Sequence, residues 1–225
     1  MVKKAICLIS GGLDSAVTSF IAKDEGYEVY SINFRYGQRH SKEIESSKKI
    51  AEEINSKTHV IFDLDLSQFG GSSLVDKNLE IEENELEKIG KKIPSTYVPA
   101  RNTIFLSIAL AYAEVTDAEA IFIGVTAQDY SGYPDCRPEY IDSYQKMANI
   151  ATKKALEKKP VKIITPLINL SKAEIIKKGM DLNVPFEKTW SCYRGYKKAC
   201  GSCDSCKLRL NGFKKAGYKD PIDYL

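Results

Sequence analysis

The chain has 225 residues, 43% of them hydrophobic, enough for one substantial core with a small appendage. Its formal net charge of +3 argues against a strong nucleic-acid field. The longest apolar stretches are about ten residues and the run behind the N-terminal MVKK is about five with no cleavage site, so neither a membrane span nor a signal peptide is expected. A cytoplasmic setting follows, where thiols stay reduced, and the six cysteines then point to metal or chemistry rather than a disulfide framework.

Taken in chain order, the apolar run Ala5–Ile9 (AICLI) predicts a strand. It enters the turn Ser10-Gly11-Gly12-Leu13-Asp14-Ser15, which opens a helix-like stretch, AVTSFIAKDEG. Glycines let the backbone approach a ligand closely, and the first amides of a helix have no internal partners and carry partial positive charge. Such a turn binds phosphate, with the hydroxyls of Ser10 and Ser15 as extra donors. Asp14 either caps the helix or sits near a magnesium ion bridging the phosphates. No GK[ST] ending follows, so this is not a Walker A loop.

Further strands are expected at Val29–Phe34, His59–Leu64, Ala120–Val125 and Val161–Ile164, with helical patterns between them at Lys42–Ile54, Asn102–Val115 and Glu139–Lys159. Ser171-Lys-Ala-Glu174 is a capping box opening a further helix, with Gly179 near its end. Strands alternating with helices predict an α/β fold, a doubly wound and mostly parallel sheet with SGGLDS on the rim of strand C-termini. Residues 68–92, acidic and weakly periodic, read as a surface excursion or lid. The expected organisation is a nucleotide-binding domain over 1–185 and a metal-binding tail over 186–225 packed on it.

Cys192, Cys200, Cys203 and Cys206 give C-x7-C-x2-C-x2-C, four soft ligands able to close tetrahedrally around one Zn²⁺ with no open position. A structural zinc is the leading reading; an iron–sulfur cluster or a redox pair at Cys203 and Cys206 are the alternatives. Cys7 reads as a buried small hydrophobe, and Cys136 lies in a loop. Three further loops, Tyr36-Gly-Gln-Arg-His40, Val98-Pro-Ala-Arg-Asn102 and Asp129-Tyr-Ser-Gly-Tyr-Pro-Asp-Cys-Arg137, mix glycine or proline with charge and aromatic rings, as ligand loops do.

SGGxDS resembles the pyrophosphate-binding loop (PP-loop) of ATP pyrophosphatases of the adenine nucleotide α-hydrolase-like fold. Together with FRYGQRH, STYVPARNTIFLS, DYSGYPDCRPEY, TPL and the terminal cysteines, the chain resembles the 7-cyano-7-deazaguanine synthase family of queuosine and archaeosine precursor biosynthesis. Departures are Leu13 for a frequent glutamine, Ala100 for glycine, and Thr126-Ala127-Gln128 for Cys-Glu-Thr. The resemblance implies an AMP-forming C–N ligase and nitrile synthase. It would convert 7-carboxy-7-deazaguanine, ammonia and Mg-ATP to the nitrile through adenylated acid and adenylated amide, with AMP and pyrophosphate released.

On that reading Ser10, Gly11, Gly12, Leu13, Asp14 and Ser15 hold ATP and pyrophosphate, and Asp14, Ser15 and Arg101 are the catalytic set. Gln38, Arg39, Tyr130, Tyr133, Asp135 and Arg137 meet the deazapurine. Against this, Arg101 can be a surface residue beside a capping Asn102, and Asp135 and Arg137 can simply pair with each other. His59 is expected to be structural and His40 a loop donor. A homodimer is implied, without membrane or nucleic-acid partners. The competing readings are a tRNA-modifying PP-loop enzyme, a relative that passes the acyl group to a protein amine, and a zinc-bearing scaffold.

Overall fold

The computed structural model describes residues 2–127 and 132–225. Its strands are β1 (Lys4–Leu8), β2 (Glu28–Arg35), β3 (His59–Asp63), β4 (Ala120–Phe122) and β5 (Lys162–Ile164). Its helices are α1 (Leu13–Asp24), α2 (Lys42–Glu53), α3 (Arg101–Thr116), α4 (Pro138–Ala151), α5 (Lys153–Leu156), α6 (Lys172–Asp181) and α7 (Asp204–Ala216). The sheet order is β3-β2-β1-β4-β5, and every pairing is parallel.

Both faces of the sheet are covered, which is why its strands read as nearly continuous apolar runs. Side chains alternate along β1: Ile6 and Leu8 face a core built with Leu106, Ala109, Leu110 and Ala113 of α3 and with Ile141 and Tyr144 of α4. Ala5 and Cys7, with Ile9 just beyond, face the opposite core, with Ala16, Val17 and Ile21 of α1 and Ile175 and Ile176 of α6. Burial pushes the Cys7 thiol far above its ordinary range, as suits a small hydrophobe.

The chain winds outward from β1 to β3, then crosses to β4 and β5. The direction reverses between β1 and β4, so a crevice opens beyond their C-terminal ends, where α/β sheets bind ligands. No helix among the described residues is long and apolar enough to cross a membrane.

Three elements differ from the sequence expectation. The helix expected over 139–159 is broken at Thr152, whose hydroxyl accepts the Ala155 N–H at 3.1 Å and starts α5 afresh. The capping box at Ser171 and Glu174 has both reciprocal bonds, and Gly179 lies in the last turn of α6 as expected, where a Cβ would come 2.3 Å from the Phe186 ring. The segment expected as a surface excursion buries Leu74 and Val75 in the core. It then crosses to the cysteine tail, where Asn84 N donates to Asp204 Oδ1 at 2.7 Å, Lys207 Nζ donates to Asn84 O at 2.8 Å, and Glu83 pairs with Arg194. It is a strap rather than a lid. Finally, α7 starts after Cys203 and takes in Cys206, where no helix was expected. Its buried Phe213 packs edge-on against Phe186 at 5.4 Å.

The tail is also held by buried charge. Arg209 of α7 makes a two-bond fork to Asp220 at 2.7 and 2.9 Å, and also donates to Thr189 Oγ1 at 2.7 Å and to the Phe186 carbonyl at 3.1 Å. Both charged side chains are buried, 2% and 3% exposed, so neither can be removed without stranding the other.

Candidate active site

A cavity of about 250 Å³ fills the crevice. Its floor is the end of β1 and the turn, from Leu8 to Ser15 without Gly11, together with Ile123–Thr126 after β4. Its walls are aromatic and cationic: Phe34, Tyr36, Phe105, Tyr133, Trp190 and Tyr193, with Arg101 and Lys172. The tail contributes to the same wall through Ser205, Leu208 and Arg209.

The turn is tied shut by its own hydroxyls. Ser10 Oγ lies 2.9 Å from Ser15 Oγ and accepts the Gly12 N–H at 3.2 Å, while Ser15 Oγ donates to the Gly12 carbonyl at 3.1 Å. Gly11 has φ +90°, and a Cβ there would come 2.1 Å from the Glu43 carbonyl of α2, so no other residue fits. Its own carbonyl accepts the Trp190 N–H at 2.9 Å, fastening the turn to the segment that enters the cysteine tail.

Asp14 does not cap α1. Gly12 is the N-cap, with no side-chain bond, and both Asp14 carboxylate oxygens accept from Lys172 Nζ at 2.7 Å. Lys172 was not anticipated, although the capping box already marked it as the first residue of α6.

Arg101 begins α3 and reaches into the cavity, its guanidinium 5.7 Å from the Tyr36 ring centre and 5.9 Å from that of Phe105. Burial pushes the Tyr36 hydroxyl up to about 12, against the pull of Arg101, so it stays protonated. Asn102 is not the cap of α3. Its own N–H donates to Asp135 Oδ2 at 3.0 Å, and its amide donates to the Asp135 carbonyl at 3.1 Å. Asp135 is thus a helix-terminus acceptor from a distant loop, favourably placed for the α3 dipole.

The remaining expected substrate residues divide. Tyr133 lines the cavity, with its hydroxyl 2.8 Å from Thr96 Oγ1. Tyr130 lies outside the described residues. Asp135 does not pair with Arg137, which is exposed and donates through Nε to the Pro134 carbonyl at 3.2 Å. Gln38 is spent on its own turn, accepting the Tyr36 N–H at 2.8 Å and donating to the Phe34 carbonyl at 3.2 Å. Arg39 holds the strap through the carbonyls of Asp76, at 2.8 Å, and Leu79. Gln38, Arg39, Asp135 and Arg137 are therefore absent from the cavity wall.

Cys136 and Glu43 line the cavity as well, and neither was assigned a role from the sequence. Cys136 accepts weakly from the Asn102 amide, and burial, then Asp135, push its thiol up to about 12, so it is no nucleophile. Glu43, in the first turn of α2, makes no hydrogen bond through its carboxyl among the described residues. Burial raises its pKa to about 7, with Arg101 opposing. The histidines stand aside: His59 bonds Ser31 and Ser47 through its two nitrogens, and His40 Nε2 lies 3.0 Å from the Cys192 carbonyl.

The four tail cysteines bring their sulfurs within 4.8 Å of one another. Backbone N–H groups of Arg194 and Cys200 point at Cys192 Sγ, each at 3.4 Å, and that of Cys203 points at Cys200 Sγ at 3.3 Å. Such donors favour thiolate. Hydrogen bonds from the Cys203 and Cys206 thiols hold Cys192 far below the ordinary thiol range. Three of the four cysteines are buried. A closed, all-sulfur set of this kind fits a structural metal ion.

A parallel five-stranded α/β sheet with a glycine–serine turn at its switch point and a four-cysteine tail places the chain in the PP-loop class of α/β folds. The fold is shared with a 4-thiouridine synthetase solved as an RNA complex with bound ATP. The likeness has a TM-score of 0.52 at 18% identity and covers 96% of this chain and 53% of that one. Residues 4–217 match the family of the queuosine biosynthesis protein QueC, and the chain belongs to that family. It is 56% identical over 223 residues to the 7-cyano-7-deazaguanine synthase of Acetivibrio thermocellus, covering 99% of this chain and 98% of the relative. It is 51% identical to that of Trichodesmium erythraeum, covering 97% and 99%.

Proposed function

We propose that the protein is an ATP-dependent 7-cyano-7-deazaguanine synthase that makes the nitrile from 7-carboxy-7-deazaguanine and ammonia. The observation that carries this is a single cavity shared by the SGGLDS turn and an aromatic wall, beside a full-length likeness to enzymes of that name.

The chemistry requires one site used twice. A carboxylate oxygen is a poor leaving group. Attack of the substrate carboxylate on the α-phosphate of ATP expels pyrophosphate and leaves an acyl adenylate. Ammonia then displaces AMP, giving the amide. The amide oxygen attacks a second ATP, again expelling pyrophosphate, and loss of AMP with the amide protons gives the nitrile.

In this reading Ser10, Gly12, Leu13 and Ser15 hold the departing pyrophosphate, with Gly11 shaping the turn behind them. Arg101, from α3, stabilises charge gathering at the α-phosphate. Tyr133, Tyr36 and Trp190 offer faces for the flat base. Asp14 and Glu43 are the carboxylates of the cavity wall. Asp14, within the turn, is the one suited to hold the magnesium of Mg-ATP, which would neutralise phosphate charge when bound. The cysteine set would hold zinc, which supplies no chemistry to the reaction and closes the tail that walls the cavity. A cytoplasmic homodimer completes the reading, and sedimentation of the purified chain tests the oligomer.

Incubation with Mg-ATP, ammonium and the carboxylic acid should yield nitrile, AMP and pyrophosphate. Formation of ADP and phosphate instead would rule the scheme out.

A further inference from the structure

A 2-amino-4-oxopyrimidine ring is recognised by counting donors. Its edge carries two adjacent N–H donors, one on the ring and one on the amino group, and the two oxygens of an ionised carboxylate accept both at once. Adenine has one donor and one acceptor along the same edge, so an ionised carboxylate fits the first ring and not the second.

Among the described residues the cavity wall holds two carboxylates, Asp14 and Glu43. Both oxygens of Asp14 accept from Lys172. Asp135, which the sequence offered for this edge, is turned to the Asn102 N–H and lies off the wall. Glu43 is left, with no hydrogen bond to its carboxyl among the described residues.

We propose that Glu43 is the specificity-determining residue for the deazapurine, its carboxylate accepting the ring N–H and the 2-amino group of 7-carboxy-7-deazaguanine. The proposal rests on the reading of this cavity as the site of a nitrile-forming synthase.

Three observations carry it. Glu43 stands in the first turn of α2, which is seated on the phosphate turn: a Cβ on Gly11 would meet the Glu43 carbonyl at 2.1 Å and the Ser47 N at 2.9 Å. With Ile44 and Ser47 buried on the same helix, that turn is fixed and the carboxylate stays on the wall. The faces that would stack the ring are beside it. Tyr36 and Trp190 share the wall, and the ammonium of Lys42 lies 4.5 Å from the Trp190 ring centre. Lastly, the carboxyl is covered by protein yet unpartnered, with Arg101 opposing the effect of that burial. Covering a carboxylate without donors costs stability, and two N–H groups of a ligand offset that cost.

Isothermal titration of the purified chain separates recognition of the acid from roles in ATP binding or folding. The probes are 7-carboxy-7-deazaguanine, the same acid without its 2-amino group, and the α,β-methylene analogue of ATP, which cannot be split between those phosphates. Both acids are titrated with the ATP analogue already bound. The parent should bind the complete acid about ten- to a hundredfold more tightly than the deaminated one, the loss of one bond to a charged acceptor. Glu43→Gln sets a donor against a donor. It should weaken the complete acid about ten- to a hundredfold and bring the two acids within about threefold of each other. Its affinity for the ATP analogue should stay within about twofold of the parent's. The variant also loses an unpaired buried charge, so in urea it should be at least as stable as the parent; weaker binding by a stable chain is then recognition and not misfolding.

Equal affinity of Glu43→Gln and the parent for the complete acid overturns the role of Glu43, as does a preference for the amino group that survives in the variant; the synthase reading stands in both cases. A loss on the ATP analogue without a loss on the acid also overturns it and assigns Glu43 to the nucleotide. Failure of the parent to bind the acid, with no nitrile formed from Mg-ATP and ammonium, removes the synthase reading itself. Should Glu43→Gln fail to fold, the parent decides: equal affinity for the two acids overturns the proposal.

Discussion

The Asp135 carboxylate accepts the backbone N–H of Asn102 at 3.0 Å, joining the loop that follows β4 to the first turn of α3, where Arg101 projects into the cavity. A residue expected to read the base thus braces the helix that carries Arg101.

Asp135→Ala removes a buried acceptor and should cost about 1–2 kcal/mol, the range of a lost helix-terminus cap. Because Arg101 moves with α3, ATP-dependent turnover should fall along with affinity for the acid. Asp135→Asn, which keeps one acceptor oxygen, should retain most of the stability. Urea denaturation and KM values for the acid and for ATP check this. Loss confined to the acid, with stability unchanged, would return Asp135 to direct base recognition.

Gly11→Ala forces a side chain into the Glu43 carbonyl at a backbone angle of φ +90°. Turnover should fall by more than about a hundredfold, since roughly 3 kcal/mol of misplacement at the phosphates suffices for that. Gly26, which also has positive φ but has nothing near its Cβ position, is the control: alanine there should spare activity.

Glu43 gives a pH-dependent test. Its folded pKa is about 7 against an ordinary 4.5, because burial disfavours the charged form. Between those values the folded chain holds a proton that the unfolded chain has released, so stability falls as pH rises through the window. Glu43→Gln cannot ionise. It should match the parent near pH 4.5 and exceed it by about 2–3 kcal/mol above pH 7, which chemical denaturation at the two pH values measures. An equal effect at both would contradict the burial argument.

The tail depends on both its metal set and its buried ion pair. Arg209→Met leaves Asp220 unpaired and should cost about 3–5 kcal/mol, and Arg209→Lys should recover little because the two-bond fork is lost. Metal analysis should find one zinc per chain. Chelation should release the 186–225 segment and the strap bonded to it at Asn84 and Glu83, seen as proteolytic cleavage there while the sheet stays protected.

Much of this was legible in the residues. The five strands, the switch-point turn and the cysteine set each have a local signature: apolar runs between turns, SGGLDS, and C-x7-C-x2-C-x2-C. What escaped had no local signature. The pairing of Asp14 with Lys172 spans 158 positions and exists only once α6 packs on α1. Gln38 and Arg39 looked like ligand contacts because polar residues in a glycine loop do, yet the Phe34 carbonyl of β2 and the Asp76 carbonyl of the strap claim them. The break at Thr152 needed the hydroxyl's local competition with the helix to be weighed. The helix that takes in Cys206 was hidden by the glycines and lysines that surround it.

The most direct test counts products. With the acid, excess ammonium and Mg-ATP, pyrophosphate and AMP released per molecule of nitrile should each come to two, with the free amide able to restart the second half using one. A single pyrophosphate per nitrile, or ADP in place of AMP, would contradict a turn that serves both adenylations.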